Sequence, residues 1–154
     1  MSVNPLGEKV PSPSKYDPGI LYPIPRWPAR SLLDIDKKLL MYGIDHWHAY
    51  ELSWLNEKGK PEVALGEFFF NADSENIVES KSLKLYLNSF NQESFATREK
   101  LAAIIANDLS AVSKSQVKVE LRSLGQGEGG AISVRQGKSL DGLDIEISSY
   151  EPDE

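Results

Sequence analysis

Between Val78 and Tyr86 the sequence reads Val-Glu-Ser-Lys-Ser-Leu-Lys-Leu-Tyr, a carboxylate followed at once by two hydroxyls and two lysines. Glu79 offers two coplanar acceptors, which match the ring N–H and the exocyclic amine along the pyrimidine edge of a guanine-like base. Such a charge-assisted fork is strong where water is excluded. With a helix opening just after the carboxylate, the first-turn amides and Ser80 form an anion site, and Lys81 or Lys84 adds charge for a phosphate. A plainer reading uses the same residues: Glu79 complements the positive end of the helix dipole and the lysines are solvated. Residue types alone leave both readings open.

Three other constellations carry less. His46-x-His48 would place two imidazoles on one side of a strand, as a zinc site can begin. The sequence holds no third histidine and no cysteine, so a site would need Asp45 or Glu51, and the expectation is two polar strand residues and no metal. Residues 125–130, GQGEGG, follow a strand without opening a helix and lack a GK[ST] ending, so they are expected to connect a hairpin rather than cradle a phosphate. Serines are plentiful, but no G-x-S-x-G elbow presents one as a nucleophile. Zero cysteines also exclude a disulfide framework, an iron–sulfur cluster and a thiol nucleophile on this chain.

The elements that must position these residues belong to a chain of 154 residues and 17.1 kDa, the size of one compact domain. With 40% apolar and 26% charged residues it can bury a core. Seventeen basic against 23 acidic residues give a net charge of −6, which argues against direct nucleic-acid binding, because that needs a basic surface. The opening MSVNPLGEKV has no basic-then-apolar signal pattern, so a cytoplasmic location is expected. The longest apolar run, from Leu101 to Ala106, falls far short of the roughly 20 residues of a membrane span.

Seven of the nine prolines precede Ser31, so residues 1–42 read as an arm and 43–154 as the folded domain. The arm carries Tyr16, Leu21, Tyr22, Ile24 and Trp27, an apolar content that implies packing along the domain or a partner. A short helix is expected from Leu32 to Met41. Tyr50, Leu52 and Trp54 alternate with Glu51 and Ser53 as in a half-buried strand. The turn residues 56–61, NEKGKP, then return the chain through EVALGEFFFNAD as an antiparallel partner. Leu83, Leu87 and Phe90 mark a helix starting near Ser80, with Ser80 and Ser82 available as caps. Leu101, Ile104, Ile105, Leu109 and Val112 form the stripe of a second helix over 97–113. Val117, Val119 and Leu121, then Leu143, Ile145 and Ile147, alternate as two more strands. The order ββααββ predicts an α+β fold, a four-stranded antiparallel sheet with two helices on one face.

The stretch ESKSLKLYLNSFNQ, with LGEKVPSPSKYDPGILYPIPR and GIDHWHAYELSWLNEKGKPEVA, resembles the NADPH-dependent 7-cyano-7-deazaguanine reductases, the nitrile reductases of queuosine biosynthesis. The similarity runs from about Leu6 to about Tyr150 and corresponds to the amino-terminal half of a long, two-half form. It implies half of a tunnelling fold, assembled into barrels as a homo-oligomer. It also implies a reaction in which a cysteine thiol adds to the nitrile and the thioimide takes two hydrides from two NADPH molecules. Covalent addition turns an inert triple bond into an imine-like electrophile. Carried over by motif, Val78, Glu79 and Ser80 would hold the deazaguanine, and Ser80 and Lys81 would contact NADPH, with Lys84 a weaker candidate for its phosphate. The nucleophilic cysteine and the proton-donor aspartate lie in the other half, so this chain is expected to need a second catalytic half or subunit and to be inactive alone. A non-catalytic binding or assembly module of the same fold is the alternative. A zinc-dependent pterin-type enzyme, resting only on His46 and His48, is a third.

Overall fold

A computed structural model describes residues 7, 11–124, 138, 140 and 142–148. After a 3-10 turn at Pro18–Ile20, the described elements are β1 (Pro23–Pro25), α1 (Arg26–Arg30), β2 (Ile44–Leu55), β3 (Pro61–Asn71), β4 (Asn76–Val78), α2 (Ser80–Asn88), α3 (Arg98–Ser113) and β5 (Val117–Arg122). Two antiparallel sheets result, β2-β3-β5 and the small pair β1-β4. The α+β class expected from the sequence holds, and the arrangement is consistent with half of a tunnelling fold.

The hairpin forms because Asn56 organises its turn. Its Oδ1 accepts from the amides of Lys58 and Lys60 at 2.9 and 3.0 Å, and Gly59 supplies the left-handed φ of 76° that the turn needs. Ala64, Gly66, Phe68 and Phe70 of β3 then face inward on the period-two pattern. A bulge between Ala49 and Leu52 puts one extra residue into β2. Before the bulge Asp45, Trp47 and Ala49 are turned inward; after it Leu52 and Trp54 are, at 1% and 3% exposure. Tyr50, expected to alternate with Leu52 and Trp54 on the core side, is therefore outside and 69% exposed. The inner face packs on Leu83 and Tyr86 of α2 and on Leu101, Ile105 and Leu109 of α3 in one cluster.

Two other expectations differ. No helix spans 32–41: α1 ends at Arg30 and only a 3-10 turn, Leu39–Met41, follows. Leu32, Leu33 and Leu39 there are exposed, so no buried face supports a longer helix. Residues 143–148 are not a strand. They run beside the hairpin turn instead, with the Ile147 amide donating to Lys58 O at 2.9 Å, Lys60 Nζ to Leu143 O at 3.1 Å, and Lys58 paired with Asp144. Alternation prepares two faces but names no partner, and Leu143 and Ile145 stay exposed. The glycine-rich residues 125–130 lie outside the described residues.

The proline-rich arm is threaded into the domain. Tyr16 stacks on Phe90 at 5.1 Å between ring centroids, and Leu21 is 3% exposed. The hydroxyls of Tyr16 and Tyr86 both donate to Asp108 Oδ2, at 2.7 and 2.6 Å. Burial first, then these bonds, push both phenols well above the usual tyrosine range. Unfolding returns them to about 10, so above that pH the unfolded chain sheds protons that the folded chain keeps. Stability is thus fully present below about pH 10 and falls as pH rises beyond it. Urea unfolding across the alkaline range should show this decline, shallower in Tyr86→Phe; an equally steep decline in that variant would exclude Tyr86 as its source.

Candidate functional site

Glu79 sits where β4 ends and α2 begins. Its side chain is the cap of the helix: Oε1 accepts from the Lys81 amide at 2.9 Å and Oε2 from the Ser82 amide at 2.7 Å. The residue is only 4% exposed. Neither Ser80 nor Ser82 caps, contrary to expectation, because the longer Glu79 side chain satisfies both orphan amides first. Those amides are consequently not open to a phosphate.

The arm holds this corner in place. The Glu79 amide donates to Tyr22 O at 2.9 Å, the Tyr22 amide donates to Ser82 Oγ at 3.0 Å, and Ser82 Oγ donates to Glu79 O at 2.7 Å. Pro23 pairs in register with Val78, which is 2% exposed and belongs to the core. The proline-rich segment is therefore the brace of the Glu79 motif.

A cleft of about 640 Å³ opens between the bulged stretch of β2 and α2. Trp47, Tyr50 and Glu51 border it on the strand side and Ser80, Lys84 and Asn88 on the helix side, over a floor that includes Leu52 and Phe68. Its size and its mostly apolar walls with a few polar groups suit a small-molecule site. Of the residues singled out from the sequence, His48, Glu51, Ser80 and Lys84 border this cleft. Val78, Glu79 and Lys81 are not among the residues bordering it. Trp47 and Tyr50 were not anticipated as cleft residues; the aromatic run in GIDHWHAYELSW is their signal, but the bulge that places Tyr50 and Glu51 at its edge leaves no mark in the sequence.

On the exposed side of β2, His46 and His48 stand side by side with ring centroids 4.2 Å apart, and His48 also borders the cleft. Glu67, directly across from His48 in the β2–β3 register, brings Oε2 to 2.8 Å from His46 Nε2. Its Oε1 lies 3.2 Å from Arg122 Nε. Neighbouring Lys118 and Arg122 hold the Glu120 carboxyl down at about 2. Asp45, one of the two residues expected to complete a histidine site, is turned inward and paired with Arg26; the other, Glu51, borders the cleft.

Residues 12–121 match the family described as nitrile reductase, 7-cyano-7-deazaguanine-reductase N-term. The chain belongs to that family. Relatives named NADPH-dependent 7-cyano-7-deazaguanine reductase include one from Hahella chejuensis, 48% identical over 96% of this chain and 54% of its own length. One from Bordetella pertussis is 47% identical over 99% of this chain and 56% of its own. One from Cupriavidus taiwanensis is 46% identical over 97% and 54%. The chain thus spans about half the length of the curated relatives it matches. The resemblance expected from the Glu79–Tyr86 motif is upheld by the nitrile reductase match, which includes that motif, the bulged strand and most of the arm. Among the described residues no helix is long and apolar enough to cross a membrane.

Proposed function

We propose that this chain is the ligand-recognition half of an NADPH-dependent 7-cyano-7-deazaguanine reductase of queuosine biosynthesis, and that it reduces no nitrile until a cysteine-bearing half joins it. The observation that carries the proposal is the family match over 12–121, with the motif's Ser80 and Lys84 at a cleft of ligand size. The relatives' names supply the substrate and the reductant.

Glu79, flanked by Val78 and Ser80, is the receptor for the deazaguanine edge. A carboxylate has about four acceptor sites; the two capping amides fix its plane and leave capacity on both oxygens. Burial keeps water from competing for that capacity. NADPH supplies the hydrides when bound. For it, Ser80 Oγ and the Lys84 ammonium offer hydrogen-bond donors and charge at the cleft, and Trp47 and Tyr50 offer ring faces to a planar group. Lys81, the other cofactor residue carried over by motif, follows Ser80 on the same first turn.

The absence of any cysteine favours one rival reading, a binding or assembly module with no reaction of its own. Mixing the chain with a cysteine-bearing half from a relative and following NADPH consumption separates the two. Consumption that depends on both the half and the nitrile supports the reductase; none at any ratio favours the module. In the reconstituted enzyme, Lys84→Ala is expected to raise KM for NADPH about tenfold with little change in KM for the nitrile, the scale of one phosphate contact. The reverse ordering would remove Lys84 from the cofactor site.

A further inference from the structure

We propose that His46, His48 and Glu67 form a binding site for a divalent transition-metal ion, of the borderline kind typified by Zn2+, on the exposed side of β2 and β3. The three side chains each offer one donor atom, and those atoms all lie within 4.8 Å of one another. Two features of the fold bring this about. Period two sets His46 and His48 on the same face of β2, ahead of the bulge that would have separated them. The antiparallel register then puts Glu67 opposite His48 and diagonal to His46.

The donor set has the chemistry of an open site. Two imidazole nitrogens and one carboxylate oxygen suit zinc, which commonly takes three protein ligands and leaves a further position to water or an incoming oxygen donor. The supports are present as well. Arg122 Nε at 3.2 Å from Glu67 Oε1 orients the carboxylate so that Oε2 faces the imidazoles. Stacking of His46 on Phe69, 4.3 Å between centroids and 17° from parallel, holds one ring; Tyr50 stacks on His48 at 5.9 Å. Glu67 is the least exposed of the three, its side chain at 14%, so the carboxylate sits at the base and the histidines at the rim. An ion there ties β2 to β3 and faces solvent through its open position.

The proposal does not rest on the nitrile reductase reading, although His48 and Tyr50 also border the cleft assigned there. Its test is calorimetric titration of the untagged, chelator-treated chain with Zn2+, paired with thermal melts with and without the ion. One Zn2+ per chain is expected, with a higher Tm in its presence. His48→Asn and Glu67→Gln should each weaken binding at least about tenfold, the loss seen when even a group supporting a metal ligand is removed. Both histidines are exposed, so His46→Asn and His48→Asn should melt with the parent when metal is absent. No saturable binding below millimolar Zn2+ would overturn the proposal. So would binding unchanged in the His46→Asn/His48→Asn double variant.

Discussion

Glu79→Ala is expected to raise KM for the nitrile at least about hundredfold in the reconstituted reductase and to lower the stability of the chain by about 1–2 kcal/mol. The two effects have separate origins. Stability falls because the Lys81 and Ser82 amides lose the carboxylate that caps them, and loss of a polar cap costs about that much. On the role proposed for Glu79, affinity falls because two charge-assisted hydrogen bonds to the base disappear, each worth about 1.5–3 kcal/mol, and a factor of ten needs only about 1.4. Glu79→Gln tells them apart. Its carbonyl still accepts one of the two amide bonds, so about half of the cap survives, but its NH2 group meets the donors of the base with a donor and binding is lost. Urea unfolding and steady-state kinetics on both variants provide the check. A Glu79→Gln enzyme with the parent KM would leave Glu79 as a helix cap and nothing more.

The capping role of Glu79 shows how far the sequence could be read. The motif was legible as a carboxylate ahead of a helix, with Glu79 read either as a complement to the helix dipole or as a ligand receptor, but the cap was expected from Ser80 or Ser82 and comes from Glu79. What no residue type discloses is that the capping bonds use both oxygens, which follows from the turn geometry between β4 and α2. The strands of the hairpin and the stripe of α3 were legible because period two and period 3.6 are local signals. The bulge after Ala49 was not, since an extra residue in one strand shows only against its partner, and it moved Tyr50 from the core to the cleft. Glu67 was missed for the same reason. It lies 21 positions from His46 in sequence but 2.8 Å away in space, and only the β2–β3 register joins them. Residues 143–148 show the converse: correct alternation without a strand, because the partners they found are at the hairpin turn.

The arm poses the sharper question of whether a segment with seven prolines can be part of a binding site, and Phe90→Ala answers it. Phe90 is fully buried just beyond the end of α2, ringed by Tyr16 at 5.1 Å, Tyr86 at 5.0 Å and Phe95 at 5.7 Å. Truncation leaves a cavity that three aromatic rings cannot collapse to fill, and such losses run to about 3–5 kcal/mol. Against a usual total of about 5–15 kcal/mol that is a large fraction. The stack with Tyr16 is also what seats the arm, alongside the Tyr16 amide bond to Glu93 Oε1 at 3.0 Å and the phenol bond to Asp108. With that seat gone, Tyr22 is held less firmly, and the Glu79 amide and Ser82 hydroxyl lose the partner that fixes their corner. Phe90→Ala is therefore expected to do two things: lower the urea midpoint steeply, and speed proteolysis within residues 11–30 under conditions where the rest of the chain stays folded. Phe90→Leu, which keeps most of the volume, should lose less than about half as much stability and protect the arm. A Phe90→Ala chain that loses under about 1 kcal/mol would show that the arm is not seated by this ring, and that the brace on Glu79 comes from the β1–β4 pairing alone.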